Sequence, residues 1–187
     1  MMSLKRTFDI LTVAAVLSLA VPATSAFAAL PVGAKAPDFT LKAALGGKPM
    51  SFSLKKALRK GPVVLYFFPA AFTSGCTVEA HDFAEATDQF HKLGATVIGV
   101  TAGNADRVAE FSKLECRNKF AVAADPEAAV AHQYDATMPA VGHSLSNRTS
   151  FVIAPSGKIL LSYTDGNPDA HITKTMEAVK TWHEHKG

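Results

Sequence analysis

Val63-Val64-Leu65-Tyr66-Phe67-Phe68 is the segment that most narrows the fold: six consecutive apolar residues bounded by Gly61-Pro62 and Pro69. A run with no polar position has no solvent face, which predicts a central strand covered on both sides. The period then changes. Ala80, Phe83, Thr87 and Phe90 recur at spacings of three and four, predicting a helix from Cys76 that ends at Gly94. Ala95–Thr101 is a second buried strand, and Asp106 to about Glu115 a second helix with Val108 and Phe111 inward. Ala121–Ala124 is a short strand, and Pro126 suits the first turn of another helix. A loop from Ala136 to Asn147 leads into a strand over Thr149–Ala154. The turn Pro155-Ser156-Gly157-Lys158 returns the chain as Ile159–Tyr163, a hairpin partner. A last helix from Asp169 places Ile172, Met176, Val179 and Trp182 on one stripe. Alternating strands and helices closed by a hairpin predict an α/β fold: a central mixed sheet with helices on both faces.

The 187 residues, 48% apolar, suffice for one core. Residues 29–61 are turn-rich, with Pro31, Gly33, Pro37, Gly46-Gly47 and Pro49 among short strand-like pieces. The chain shows no repeat, no low-complexity segment and no internal linker, so residues 29–187 read as a single domain. Residues 1–28 read as a secretory signal peptide. Lys5 and Arg6 are its positive start, Ile10–Val21 its apolar stretch, and Ala26-Phe27-Ala28 a small-x-small cleavage site. Pro22 interrupts the stretch, which is short for a membrane span; an uncleaved anchor is the other reading. The expected location is outside the cytoplasm, in the bacterial periplasm. The formal charge of +3, with no basic run, argues against nucleic acid as a partner.

Two cysteines, Cys76 and Cys116, both fall in the mature region. In an oxidising compartment such a pair usually forms a structural disulfide. The surroundings of Cys76 suggest more. It follows a strand and the small-residue loop Ala70-Ala71-Phe72-Thr73-Ser74-Gly75, and so stands at the first turn of a helix. Unpaired N–H groups and the helix dipole favour a thiolate there. Lowering a thiol pKa from about 8.5 to about 6 takes about 3.4 kcal/mol. A helix terminus supplies typically about 0.3–1 kcal/mol. A fixed cation is therefore expected beside the sulfur.

Pro69-x-x-x-Thr73-x-x-Cys76 resembles the active-site signature of the peroxiredoxins, the alkyl hydroperoxide reductase and thiol-specific antioxidant superfamily. Gly33-x-x-Ala36-Pro37-Asp38-Phe39 resembles the opening segment of that family, and Arg148 in Arg-Thr-Ser-Phe-Val-Ile resembles its late-strand arginine. The likeness covers residues 30–187 and is greatest for the bacterioferritin-comigratory class. It implies a thioredoxin-like fold and a thiol-dependent peroxidase acting on hydrogen peroxide and organic hydroperoxides. On that resemblance Cys76 is the peroxidatic nucleophile, and Thr73 Oγ bonds the thiolate and a peroxide oxygen. Pro69 shields the sulfur from water. Arg148, with the Cys76 backbone N–H, stabilises the thiolate and the charge developing on the leaving oxygen, and Glu79 orients Arg148. Taken singly, Thr73 reads as a helix cap, Arg148 as a solvated strand-end residue and Glu79 as a first-turn acid. Their joint spacing favours the catalytic reading.

A sulfenic acid on Cys76 must condense with a second thiol to be recycled. Many members of the class carry that thiol five residues on, where this chain has His81. Cys116, expected near the end of the second helix, is the resolving candidate; an external thiol is the alternative. The partners implied are a hydroperoxide and an external thioredoxin-like thiol or dithiol reductant, with the chain a monomer or homodimer. No cofactor is implied. His81, His91, His132, His143, His171, His183 and His185 show no metal-ligand spacing and read as solvated or core residues. Met138 and His143 could shape the substrate entrance. Two rivals share the fold. A thiol–disulfide oxidoreductase needs Cys-x-x-Cys where this chain has Thr73-Ser74-Gly75-Cys76. A copper-binding assembly protein needs more soft ligands than one loop cysteine offers.

Overall fold

A computed structural model describes residues 29–185; the expected leader and its cleavage site lie outside them. The apolar run becomes β3 (Val63–Ala70), paired in parallel with β4 (Thr96–Gly103) and antiparallel with β8 (Thr149–Ile153). The sheet extends through β5 (Ala121–Ala124), β1 (Thr40–Leu45) and β2 (Lys48–Ser53) on one side, and β9 (Ile159–Thr164) on the other. Its seven strands run in the order β2-β1-β5-β4-β3-β8-β9. Parallel pairing is confined to β3–β4–β5, and the outer strands are antiparallel, so the sheet is mixed.

Alternation along β3 sorts the core into two layers. Val63, Leu65 and Phe67 pack with Leu54 and Ala57 of α1 (Leu54–Leu58), and with Val130 and Ala131 of α4 (Ala129–Gln133). Val64, Tyr66 and Phe68 face α2 (Ser74–Lys92), α3 (Val108–Leu114) and α5 (Asp169–Glu184). The second layer is aromatic: Tyr66 stacks on Phe83 at 4.4 Å and on Phe68 at 5.4 Å, and Phe68 stacks on Phe111 at 5.3 Å. Both cysteines belong to this layer. Among the described residues no helix is long and apolar enough to cross a membrane.

Three expectations need correction. The second helix is divided: Asn104 takes a left-handed φ of 52°, a 3-10 turn covers Ala105–Arg107, and α3 proper starts at Val108. It ends at Leu114, so Cys116 lies in the turn beyond it, before the left-handed Arg117 and Asn118. α4 starts at Ala129, not Pro126. Glu127 and Ala128 are left-handed, and the Asp125 carboxylate accepts the N–H groups of Val130 (3.0 Å) and Ala131 (2.9 Å). The loop over 136–147 contains a separate hairpin, β6 (Thr137–Ala140) with β7 (His143–Ser146). Ser146 docks it by accepting the Ala102 N–H on β4 at 3.2 Å.

Candidate active site

The end of β3 is fixed before the helix begins. Thr101 Oγ1 donates to the Pro69 carbonyl at 3.2 Å, Ala71 N–H bonds Gly103 O at 3.1 Å, and Asn104 Nδ2 donates to Ala71 O at 2.7 Å. A Cβ on Gly103 would stand 2.5 Å from Pro69 O, so the close approach needs glycine. Phe72 then turns through a left-handed φ of 64°, its ring under the Arg107 guanidinium at 3.9 Å and edge-on to Phe111. This tight reversal starts α2 with Thr73 as its N-cap residue.

The first backbone bond of α2 runs from Thr77 N–H to Thr73 O at 2.9 Å. The N–H groups of Ser74, Gly75 and Cys76 precede it and have no acceptor within the helix. Cys76 stands among these donors, 1% exposed. The expected cation is there: Arg148 Nη2 lies 3.6 Å from Cys76 Sγ. The other donors of Arg148 are engaged as well. Nη1 bonds Glu79 Oε2, and Nε donates to the Gly166 carbonyl at 3.0 Å. Gly75 leaves the guanidinium its place, since a Cβ there would approach Nη2 to 3.1 Å. Burial works against the charge on Arg148, but Glu79 and Cys76 more than offset it and hold its pKa above the ordinary value. The guanidinium and the unpaired N–H groups of the first turn therefore converge on this sulfur.

Glu79 is wholly buried on the next turn of α2. Burial pushes its carboxyl up to about 8 against the pull of Arg148. Its Oε1 has no hydrogen-bond partner and faces His171 Nδ1 at 3.8 Å. The Thr73 hydroxyl, exposed at the helix entrance, donates to the Ala70 carbonyl at 3.0 Å. Its single hydrogen is thereby committed away from the thiolate, and its oxygen remains an acceptor. Pro69 is half-buried at the end of β3. Met138 is partly exposed in β6, and His143 opens β7.

Cys116 is fully buried and both thiols are free. Burial, with a contribution from Glu115, pushes the Cys116 thiol well above the ordinary range. Its turn is clasped to one face of α2. His81 Nε2 meets Glu115 Oε2 at 2.8 Å, Arg117 meets Glu85 at 3.0 Å, and Lys119 meets Asp88 at 2.9 Å. The structure thus brings Cys76, Arg148 and Glu79 together, with Thr73 at the N-cap of the same helix and Pro69 near the end of β3. Sequence reasoning missed Gly75 and His171. Gly75 offered a signal in its place beside Cys76, whereas His171 falls on the apolar stripe of α5 and reads as core.

A thioredoxin-like sheet with a buried free cysteine at a helix N-terminus beside a buried arginine is the frame of a thiol peroxidase. Residues 32–162 match the AhpC/TSA family. The chain belongs to that family, the peroxiredoxins, and is a thiol-dependent peroxidase. It is 32% identical over 154 residues to a putative peroxiredoxin bcp of Helicobacter pylori, covering 80% of this chain and 98% of the relative. It is 31% identical over 158 residues to the chloroplastic peroxiredoxin Q of Sedum lineare, covering 84% and 82%. Among solved structures it resembles the peroxidoxin BcpB of Mycobacterium tuberculosis. The TM-score is 0.72 at 29% identity, over 80% of this chain and 96% of that one.

Proposed function

We propose that Cys76 is the peroxidatic nucleophile, that Arg148, Thr73, Pro69 and Glu79 form its site, and that Cys116 is its resolving thiol. The observation that carries this reading is the 3.6 Å approach of Arg148 Nη2 to Cys76 Sγ at the unpaired start of α2. The thiolate attacks the terminal oxygen of a hydroperoxide, a sulfur–oxygen bond forms and the O–O bond breaks. The departing alkoxide or hydroxide takes a proton and leaves as alcohol or water. Arg148 and the Cys76 N–H face the charge that builds on the oxygens, which is where fixed donors accelerate the step. Thr73 Oγ1, its hydrogen given to Ala70 O, accepts the O–H of the incoming hydroperoxide.

Resolution follows when the Cys116 sulfur attacks the sulfenic acid: a disulfide forms and water leaves. Cys116 is buried and neutral, so its turn must open before the sulfurs meet. A thioredoxin-like dithiol outside the cytoplasm then reduces the disulfide, in keeping with a cleaved leader at residues 1–28 and export to the periplasm. Hydrogen peroxide and organic hydroperoxides are both within the chemistry, and the chain works as a monomer or homodimer. The two rival functions lack support at the loop, where threonine stands in place of a second cysteine.

The test is the intact mass of reduced protein seconds after one equivalent of hydrogen peroxide. Loss of two hydrogens with a Cys76–Cys116 peptide is expected. Gain of one oxygen at Cys76 alone would assign resolution to an external thiol, and an unmodified Cys76 would overturn the peroxidatic role. Cys76→Ser should abolish turnover.

A further inference from the structure

His171 is fully buried on α5, yet every polar atom of its ring is engaged. Nε2 lies 3.1 Å from the Asp165 carbonyl, which only accepts, so Nε2 carries a hydrogen. In the neutral ring Nδ1 is then a bare acceptor, and the Ser150 hydroxyl at 2.8 Å donates to it. The same Nδ1 faces Glu79 Oε1, the buried oxygen without a partner, at 3.8 Å. Glu79 Oε2 is committed to Arg148, so a proton on this carboxyl belongs on Oε1, the oxygen without a partner. If the proton passes to Nδ1, Ser150 need only rotate its hydroxyl and accept. The ring placement is thus satisfied, whereas a proton on Oε1 has no acceptor within hydrogen-bond distance.

Charge accounting gives that proton a purpose. Thiolate, guanidinium and carboxylate together leave one buried negative charge in excess, and one further proton cancels it. We propose that His171 is a positioning residue of this site: the buried Glu79–His171 pair carries one proton, best satisfied on Nδ1, and that proton balances the charge of the Cys76 thiolate. The inference rests on Cys76 as the peroxidatic thiolate. When Cys76 ionises, the pair binds a proton; when peroxide converts the sulfur to a neutral sulfenic acid, the pair releases it to solvent. Linkage makes the coupling reciprocal, so a protonated pair favours the thiolate. The groups facing His171 fit this use. Burial, and after it Arg148, oppose a proton on the ring, Asp165 favours it, and burial favours one on Glu79. Tyr163 of β9 lies edge-on to the ring at 4.8 Å, with Lys174 of α5 over the Tyr163 ring.

Nitrogen NMR of the reduced protein tests the coupling directly. The His171 ring should titrate at lower pH in Cys76→Ser than in the native thiolate form, by about one unit; coincident titrations would overturn the proposal. The second test is His171→Gln, whose amide can replace Nε2–H at the Asp165 carbonyl but puts no base opposite Oε1. Its peroxide reaction should slow about twofold at pH 7, with the half-maximal pH moving up about one unit. Adding Glu79→Gln to this variant should change that midpoint little. A residue that only fills the core would lower Tm and leave the midpoint in place, which would also overturn the proposal. Failure of the peroxidatic reading is distinguishable, because Cys76→Ser would then consume peroxide as the native protein does.

Discussion

Arg148 divides one guanidinium among a sulfur, a carboxylate and a carbonyl, and that division makes its position more important than its charge. A lysine would keep the charge and lose the fork. Arg148→Ala is expected to slow the first oxidation by about two orders of magnitude, the usual cost of removing a fixed transition-state donor. Competition for peroxide against a reference peroxidase would measure it. Thr73→Val should also slow oxidation, whereas Thr73→Ser, which keeps the hydroxyl, should stay near the native rate; equal rates in both variants would exclude a role for the hydroxyl. At this scale much was legible beforehand. Cys76, Thr73 and Pro69 form a local string, Glu79 is one turn on, and the need for a cation follows from thiol acidity alone. His171 was not legible. It is 92 residues from Glu79 in sequence, at a position where an apolar side chain would fit the helical stripe equally well.

Elements with strong periodicity were read nearly to the residue: β5 falls on Ala121–Ala124, and α5 begins at Asp169 as expected. Those governed by tertiary contacts were not. The β6–β7 hairpin carries Pro139 and has no buried residue in β6, so no alternation marked it, and its position depends on the buried Ser146 bonding β4. The turn holding Cys116 is similar: Glu115, Arg117 and Lys119 alternate so as to meet His81, Glu85 and Asp88 on successive turns of α2. If that clasp restrains Cys116, weakening it should speed disulfide formation. Exposed pairs are individually weak, so Glu85→Gln with Asp88→Asn should accelerate Cys76–Cys116 closure only about two- to fivefold. Quenched mass spectrometry would measure this, and 1 M salt should erase the difference. A double variant closing at the native rate would show that the clasp does not limit resolution.

The whole molecule feels the buried carboxyl through its stability. Glu79 holds its proton up to about 8 in the folded state, against an ordinary value of 4.5. Between those limits folding takes up a proton. The contribution is therefore fully present below about 4.5, and is lost as pH rises through about 8. The Tm of the reduced protein should fall across that window, and the slope should flatten in Glu79→Gln. An unchanged slope would mean that Glu79 is ionised throughout.

Both thiols lie within one aromatic layer, 1% and 0% exposed. Depth of this kind works as a sieve. Bulky alkylating reagents and the broad faces of other proteins cannot touch sulfurs at that depth without a movement of the fold. At this surface cross-section counts before reactivity.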